Sequence, residues 1–318
     1  ALNALTGDEV TLSGIGGSAM AEAGVASMMS IDGLNILGWI DGLKAYKRVK
    51  QSVARAVELI LAAKPDTVVL IDSWGFTLRV ARGVRAVDPS IRLVKYVGPQ
   101  VFATRPGRAA VLADTVDELL TILSFDKPFY TPHGLPVTFV GNPTLERLPA
   151  GDGAAFRARH GLDPADLVLV VLLGSRPSEI RRMTPPFVEA LARLKARRRD
   201  LPVADPVADD VSAAIARHEV LAGAIRVGED EKADAFAAAD QALACSGTVV
   251  TELATAGVPT VTSYKLGWIT WAIARAFNLI RTRHISLVNI AVDERVVPEI
   301  IQLQCTGANL ANAVDRLL

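Results

Sequence analysis

The sequence predicts an α/β protein made of two doubly wound parallel sheets in series. Three observations predict it. Short β-branched runs, nearly all apolar, alternate with longer stretches whose apolar residues recur at helical spacing. Such runs suit strands covered on both faces, as parallel sheets are. A cluster of Pro143, Pro149, Gly151, Asp152 and Gly153 then separates two strand–helix regions near mid-chain. It sets expected domains at 1–150 and 151–318.

The elements follow in order. Residues 51–63 carry apolar positions at helical spacing. Residues 67–72, Thr67 to Asp72, form a buried strand ending in an acid. A second strand is predicted over 91–97 and a third over 137–140, closed by Gly141-Asn142-Pro143. A fourth, over 167–173, runs into Gly174-Ser175-Arg176. Helical spacing returns over 184–195 and 232–239, and 240–244 reads as a short strand before a turn at Ser246-Gly247-Thr248.

Composition bounds the function. At 318 residues the chain is long enough for two ordinary domains. Half of it is hydrophobic and 21% charged, which excludes disorder. Lys+Arg 34 balances Asp+Glu 34, so no net field draws it to nucleic acid, and its basic residues do not interleave with stacking aromatics. Cys245 and Cys305 are too few for a disulfide framework or a zinc site, so a reduced, cytosolic setting is expected. No apolar run reaches the roughly 18 residues of a membrane span, and residues 1–10 lack the pattern of a signal peptide. Gly14-x-Gly16-Gly17 lacks the full G-x-G-x-x-G spacing of a dinucleotide fingerprint.

Ligands of doubly wound sheets lie beyond the carboxyl ends of the strands, so chemistry is sought there. At Ser246-Gly247-Thr248 a helix begins, and its N–H groups suit a phosphate; Glu252, one turn in, suits ribose hydroxyls. The same residues also read as a capped helix with a first-turn acid. Arg176 follows a buried strand, where a guanidinium suits a diphosphate; pairing with Glu179 is the alternative. Asp72 at a strand end reads as a general base towards a hydroxyl, or as the cap of a helix starting near Phe76. Asn289 and the run from Val296 to Gln302, with Glu299, are polar points in apolar surroundings that need partners, either a sugar or the protein. His133, His160, His218 and His284 show no ligand spacing, and no histidine stands in register to make Cys245 a nucleophile.

Two segments read as membrane-facing. One holds Met28, Met29, Ile31, Leu34, Ile36, Leu37, Trp39, Ile40 and Leu43, followed by Lys44, Lys47, Arg48 and Lys50. The other holds Trp268, Ile269, Trp271, Ile273 and Phe277, with Arg275, Arg281 and Arg283. Both also read as core with solvated edges.

Taken in order, several short motifs resemble lipid-A-disaccharide synthases, inverting glycosyltransferases of the two-Rossmann-domain, GT-B type. They are Gly14-Ile15-Gly16-Gly17 with Met20 and Gly24; Lys64-Pro65-Asp66 leading to Ile71-Asp72 and Phe76; and Tyr96-Val97-x-Pro99 with Val101, Ala103 and Arg105. Phe139-Val140-Gly141-x-Pro143, Gly174-Ser175-Arg176 with Glu179-Ile180, and Ser246-Gly247-Thr248 with Glu252 continue the series. Asn289-Ile290 and Val297-Pro298-Glu299-Ile300-Ile301-Gln302 close it. Each motif is weak, and their shared order is specific.

The resemblance implies a UDP-2,3-diacylglucosamine donor, a 2,3-diacylglucosamine 1-phosphate acceptor and a β-1,6-linked product, without a metal or other cofactor. It implies a protein peripheral on the cytoplasmic side of the inner membrane, with subunits that pair as a homodimer. Asp72 becomes the base or an essential acid near the acceptor hydroxyl. Arg176, with Gly174, Ser175 and the Ser246-Gly247-Thr248 turn, holds the diphosphate. Glu252 holds the ribose, Asn289 contacts the donor or the reaction centre, and Glu299 and Gln302 line the donor site. Met28, Leu34, Leu37, Trp39, Ile40 and Leu43 face the acceptor lipid.

Departures cluster in the first half. The family's D-x-P-D-F-N reads Asp72-Ser73-Trp74-Gly75-Phe76-Thr77, so its second Asp is Gly75. W-A-W-R reads Phe102-Ala103-Thr104-Arg105, and P-G-S-R begins with Leu173. G-H-P reads Gly141-Asn142-Pro143. The family's opening strand, its G-E-x-S-G-D loop and its closing helices are unmatched here, so an incomplete first sheet and poor turnover are expected. Two other readings stay open: a paralogue with another lipid-linked amino-sugar acceptor, and a non-catalytic UDP-sugar or lipid-binding scaffold.

Overall fold

A computed structural model describes residues 10–31, 42–146, 148–197, 203–206, 221, 223–276 and 282–317, with the side chains of 42–47 and 203–206 left aside. It divides at Val140/Gly141 into two units, each with its own parallel sheet.

In the first unit, α1 (Ser18–Glu22) and α2 (Gly42–Ala63) precede β1 (Thr67–Ile71), α3 (Trp74–Val87) and β2 (Arg92–Tyr96). Then come α4 (Arg108–Ala113), β3 (Glu118–Thr121), α5 (Lys127–Tyr130) and β4 (Val137–Phe139). The strands pair in parallel in the order β1-β2-β3-β4, with Val69 opposite Val94 and Leu120 opposite Thr138. Leu70, Leu93 and Leu119 point to one face, where Val80, Val84 and Leu112 close the core. Tyr130 is fully buried there and donates to the Pro99 carbonyl at 2.5 Å. One expectation needs correcting: β1 is not buried on both faces. It is the edge strand among the described residues, and Val69 and Ile71, on the face away from Leu70, are half exposed.

The second unit begins with α6 (Pro143–Glu146), α7 (Gly153–Arg159), β5 (Leu169–Leu172), α8 (Pro177–Arg197), β6 (Val203–Pro206) and β7 (Ile225–Val227). It continues with α9 (Lys232–Ala238), β8 (Gln241–Cys245), α10 (Thr248–Thr255), β9 (Thr260–Tyr264) and α11 (Trp268–Ala276). α12 (Leu287–Val292), β10 (Glu299–Ile301) and α13 (Gly307–Leu317) complete it. The all-parallel order is β10-β9-β8-β5-β6-β7. Every residue of β5 and β8 is buried. Leu169, Val171, Leu243 and Cys245 meet Phe187, Leu191 and Leu310 on one face. Val170, Leu172, Ala242 and Ala244 meet Phe156, Phe236 and Leu253 on the other. This two-sided burial is why the strands read as unbroken apolar runs.

The boundary falls ten residues before the expected 150/151. The glycines taken for a linker are packing devices instead. A Cβ on Gly151 would lie 1.9 Å from the Ala233 carbonyl oxygen, and one on Gly153 2.4 Å from that of Ala237. Between them the Asp152 N–H donates to Asp234 at 2.7 Å, while the Asp152 carboxylate caps α7 by accepting from the Ala155 N–H. Helix α6 packs against α10, which ties residues 141–150 to the second unit.

Helix α8 also begins earlier than its apolar spacing over 184–195 predicts. Pro185 and Pro186 both lie inside it. Ile180, Met183, Phe187, Ala190, Leu191 and Leu194 bury one continuous stripe, and that burial outweighs the two lost N–H donors.

Candidate active site

The second unit's strand order reverses between β5 and β8. From β5 the chain builds outward through β6 and β7, then returns to build β8, β9 and β10 on the other side. The loops that follow β5 and β8 diverge at this point, and a crevice forms outside their carboxyl ends. Those loops are Gly174-Ser175-Arg176 and Ser246-Gly247. A Cβ on Gly174 would sit 3.3 Å from Cys245 Sγ and 3.0 Å from Glu179 Cβ, so the two loops are neighbours. Gly174 has φ +109°, a conformation that only glycine adopts freely.

Helices α8 and α10 start directly after these loops. Gly247 caps α10 without any side-chain hydrogen bond, and a Cβ there would meet nothing within 4 Å. Ser175, Gly247 and Thr248 are exposed. Two helix N-termini therefore open onto the crevice with small residues before them, an arrangement that suits a diphosphate. Ser246 is anchored beneath: its N–H donates to the Ser263 carbonyl at 2.8 Å.

Arg176 extends from the first loop, with its side chain 64% exposed and Nη1 2.8 Å from Glu179 Oε1. Glu179 is itself buried and lies 3.4 Å from the Tyr264 hydroxyl. The pairing with Glu179 is thus real, yet it aims an exposed guanidinium rather than consuming it. Cys245 is inert, because burial above all, and then Glu179, push its thiol up to about 12.

The other expected donor-site residues have internal partners. The Glu252 carboxylate lies nearly buried 2.8 Å from Lys232 Nζ. Burial draws that lysine's pKa down, but Glu252 and Glu229 outweigh it and hold it above the ordinary value. Asn289 is fully buried. Its Nδ2 donates to the Val297 carbonyl at 2.8 Å and to Glu299 Oε1 at 2.9 Å, and its Oδ1 accepts from the Val297 N–H at 2.8 Å. Glu299 Oε1 also accepts from the N–H groups of Ile285 and Ser286, at 3.0 and 2.8 Å. Gln302, at φ +51°, accepts from the Leu266 N–H at 2.5 Å. Asn289, Glu299 and Gln302 therefore hold the loops around β10. The bonds form across a helix–strand junction, which sequence spacing does not display.

Asp72 belongs to the first unit, at the carboxyl end of β1. It does not cap α3: Ser73 holds that position, with no side-chain cap, and the Asp72 carboxylate is exposed. Asp72 and Ser73 both have left-handed backbones, φ +41° and +44°, which are strained for residues with a side chain. Three bonds hold the turn. The Asp72 N–H donates to the Tyr96 carbonyl at 2.9 Å, the Thr77 hydroxyl donates to the Asp72 carbonyl at 2.7 Å, and the Lys95 ammonium donates to that same carbonyl.

Lys95 went unnoticed in the sequence. It is 2% exposed, and burial lowers its pKa to about 8 against the opposing pull of Asp72. The signal was a lone lysine inside the apolar run over 91–97.

Of the residues expected to face lipid, Met28 is half-buried beside the bridge between Gly14 and Ser27. Leu34, Leu37, Trp39 and Ile40 lie outside the described residues, as does the side chain of Leu43. Phe277 and Arg281 of the second segment lie outside them too, but helix α11 is described. Trp268 and Ile269 are 69% and 73% exposed there, and Arg275 stacks 5.5 Å from the Trp271 ring. No helix among the described residues is long and apolar enough to cross a membrane.

Solved structures show the same fold at low identity. S. aureus MnaA, in a co-structure with UDP, superposes with a TM-score of 0.63 at 12% identity, covering 94% of this chain and 77% of that one. The Neisseria meningitidis UDP-GlcNAc 2-epimerase bound to UDP-GlcNAc gives 0.61 at 11%, covering 93% and 78%. Sequence relatives are far nearer. The lipid-A-disaccharide synthase of Rhodospirillum centenum is 42% identical, covering 97% of this chain and 78% of the relative. That of Paramagnetospirillum magneticum is 39% identical, covering 100% and 82%. The family model for lipid-A-disaccharide synthetase matches residues 2–318. With its GT-B architecture and this near full-length match, the chain belongs to the lipid-A-disaccharide synthase family, glycosyltransferases of lipid A biosynthesis.

Proposed function

We propose that the chain joins UDP-2,3-diacylglucosamine to 2,3-diacylglucosamine 1-phosphate, with inversion, giving the β-1,6-linked disaccharide 1-phosphate and UDP. The observation that carries this reading is the reversal of strand order between β5 and β8, with two exposed helix N-termini and Arg176 beside it. A neighbour of the same fold, S. aureus MnaA, is solved with UDP, which is in keeping with a UDP-sugar donor.

Asp72 accepts the proton of the attacking hydroxyl, which is free to bond to the anomeric carbon as the bond to UDP breaks. Negative charge grows on the departing diphosphate. Arg176 and the N–H groups at the starts of α8 and α10 stabilise it where it develops, and no metal is required. Acyl chains on both substrates call for a protein resting on the cytoplasmic face of the inner membrane, and the family's pairing of subunits makes a homodimer the expected form.

The direct test is mass-spectrometric detection of disaccharide 1-phosphate after mixing the chain with both substrates in detergent. UDP bound without product would support the scaffold reading, and product from a different acylated amino sugar would support a paralogue. Arg176→Ala is expected to cost about 2–4 kcal/mol of transition-state stabilisation, read as a fall in kcat/KM. An unchanged rate would make the Glu179 pairing the whole of its role.

A further inference from the structure

Beside Asp72, the outer face of α3 forms a second cavity of about 310 Å³, lined by Trp74, Gly75, Leu78, Arg79, Arg82 and Arg108. That is the lower end of the roughly 300–1,000 Å³ range of small-molecule sites. Gly75, Arg79 and Arg82 stand at helical positions i, i+4 and i+7, so they share a face. Arg108, from the start of α4, stacks 5.0 Å from the Trp74 ring centroid, which fixes its guanidinium plane. Arg105 lies close enough to repel it: burial, and then Arg105, lower the Arg108 pKa.

The cluster lacks acid. Elsewhere in the first unit Arg55, Arg85 and Arg92 each meet a carboxylate. Among the described residues no carboxylate lies within 4.0 Å of Arg79, Arg82, Arg105 or Arg108. In a chain of zero net charge, four uncompensated guanidiniums in one place call for an anion. Gly75 adds to the imbalance. It occupies the position of the family's second Asp, and its carbonyl accepts from Arg79. A Cβ there would lie 3.6 Å from Arg79 Nη1, so a carboxylate at this position would neutralise the arginine. Among the described residues, the charged side chains that line the pocket are all arginines.

We infer that this pocket binds a phosphomonoester and, resting on the acceptor proposed above, that its occupant is the 1-phosphate of the acylated amino sugar. The chemistry selects the class. Three guanidinium groups lining one pocket suit a dianion with three free oxygens. A carboxylate offers two oxygens and one charge, and the phosphodiester of a membrane lipid offers one charge. The Trp74 ring beside the cations gives the sugar an apolar face to lie against.

The test uses the whole chain and two soluble probes, glucosamine 1-phosphate and glucosamine, titrated calorimetrically against the wild type and the double variant R82Q/R108Q. Both positions are at or near the surface, and an unchanged melting curve checks the fold. The wild type is expected to prefer the phosphate by at least about tenfold, and the variant to lose that preference while keeping its affinity for UDP. In turnover the variant's acceptor KM should rise at least tenfold with kcat little changed. Equal affinity for both probes, or a variant that retains the preference, would overturn the assignment. So would a variant that loses binding to phosphatidylglycerol vesicles yet still prefers the sugar phosphate, because the pocket would then serve a lipid headgroup. If the wild type makes no disaccharide but shows the preference and the variant loses it, the phosphate pocket stands and the proposed reaction falls.

Discussion

Asp72→Asn is expected to lower turnover by roughly 10²–10⁴-fold while leaving UDP binding unchanged. The substitution is close to isosteric, and asparagine tolerates the left-handed backbone at φ +41° at least as well as aspartate. Its carbonyl keeps the bonds from Thr77 and Lys95, so the turn should persist. What disappears is the exposed carboxylate that, in the proposed reaction, takes the proton. UDP binding serves as the control because the loops proposed to hold it, Gly174-Ser175-Arg176 and Ser246-Gly247, belong to the other unit. A parallel loss of UDP affinity would make Asp72 a folding residue, and unchanged turnover would remove it as the base. One side effect is specific to this geometry. Asp72 holds the Lys95 pKa up against burial, so the variant's lysine should titrate below about 8. A new alkaline transition in protein stability would report it. The folded-state pKa lies below the unfolded value of 10.5, so the charged lysine opposes folding. Stability should rise as pH climbs through the folded pKa towards 10.5, and in the variant that rise should begin earlier.

The strands and turns that bound the second unit's crevice were legible in the sequence because they rest on local chemistry. β5 and β8 are fully buried, so their apolar runs stand out, and the small residues ending each run mark the turns. Five strands were not legible. β3 has only four residues, and its Glu118 bonds to Arg92 and Thr138 across the sheet. β9 is rich in hydroxyl residues: Thr262 and Ser263 are fully buried, with the Ser263 hydroxyl donating to the Ile300 carbonyl at 2.6 Å. β6, β7 and β10 are short and take their conformation from neighbours already in the sheet. Lys95 and Lys232 escaped for a related reason. Each is defined by a partner distant in sequence, Asp72 for one and Glu252 for the other, and a spacing rule sees only near neighbours.

Removal of Asn289 is a stringent test, because its amide is committed to bonds within the second unit. Asn289→Ala would strand two buried groups at once, the Val297 N–H and the Val297 carbonyl, and would take one of its bonds from Glu299 Oε1, which keeps those from Ile285 and Ser286. Each unsatisfied buried group costs about 1–3 kcal/mol, and partial rescue by water brings the expected loss to about 2–4 kcal/mol. In a unit of this size that is roughly a 10 °C fall in Tm. Asn289→Asp should do no better, since it sets a carboxylate where Nδ2 now lies 2.9 Å from Glu299 Oε1. Thermal unfolding of the whole chain reads the loss, and UDP titration well below the transition reads the site. If the amide positions the loops, stability falls steeply while the folded fraction still binds UDP with only modestly weakened affinity. If it touches the donor instead, Asn289→Ala should melt like the wild type and lose turnover outright, because no buried bond would have depended on it.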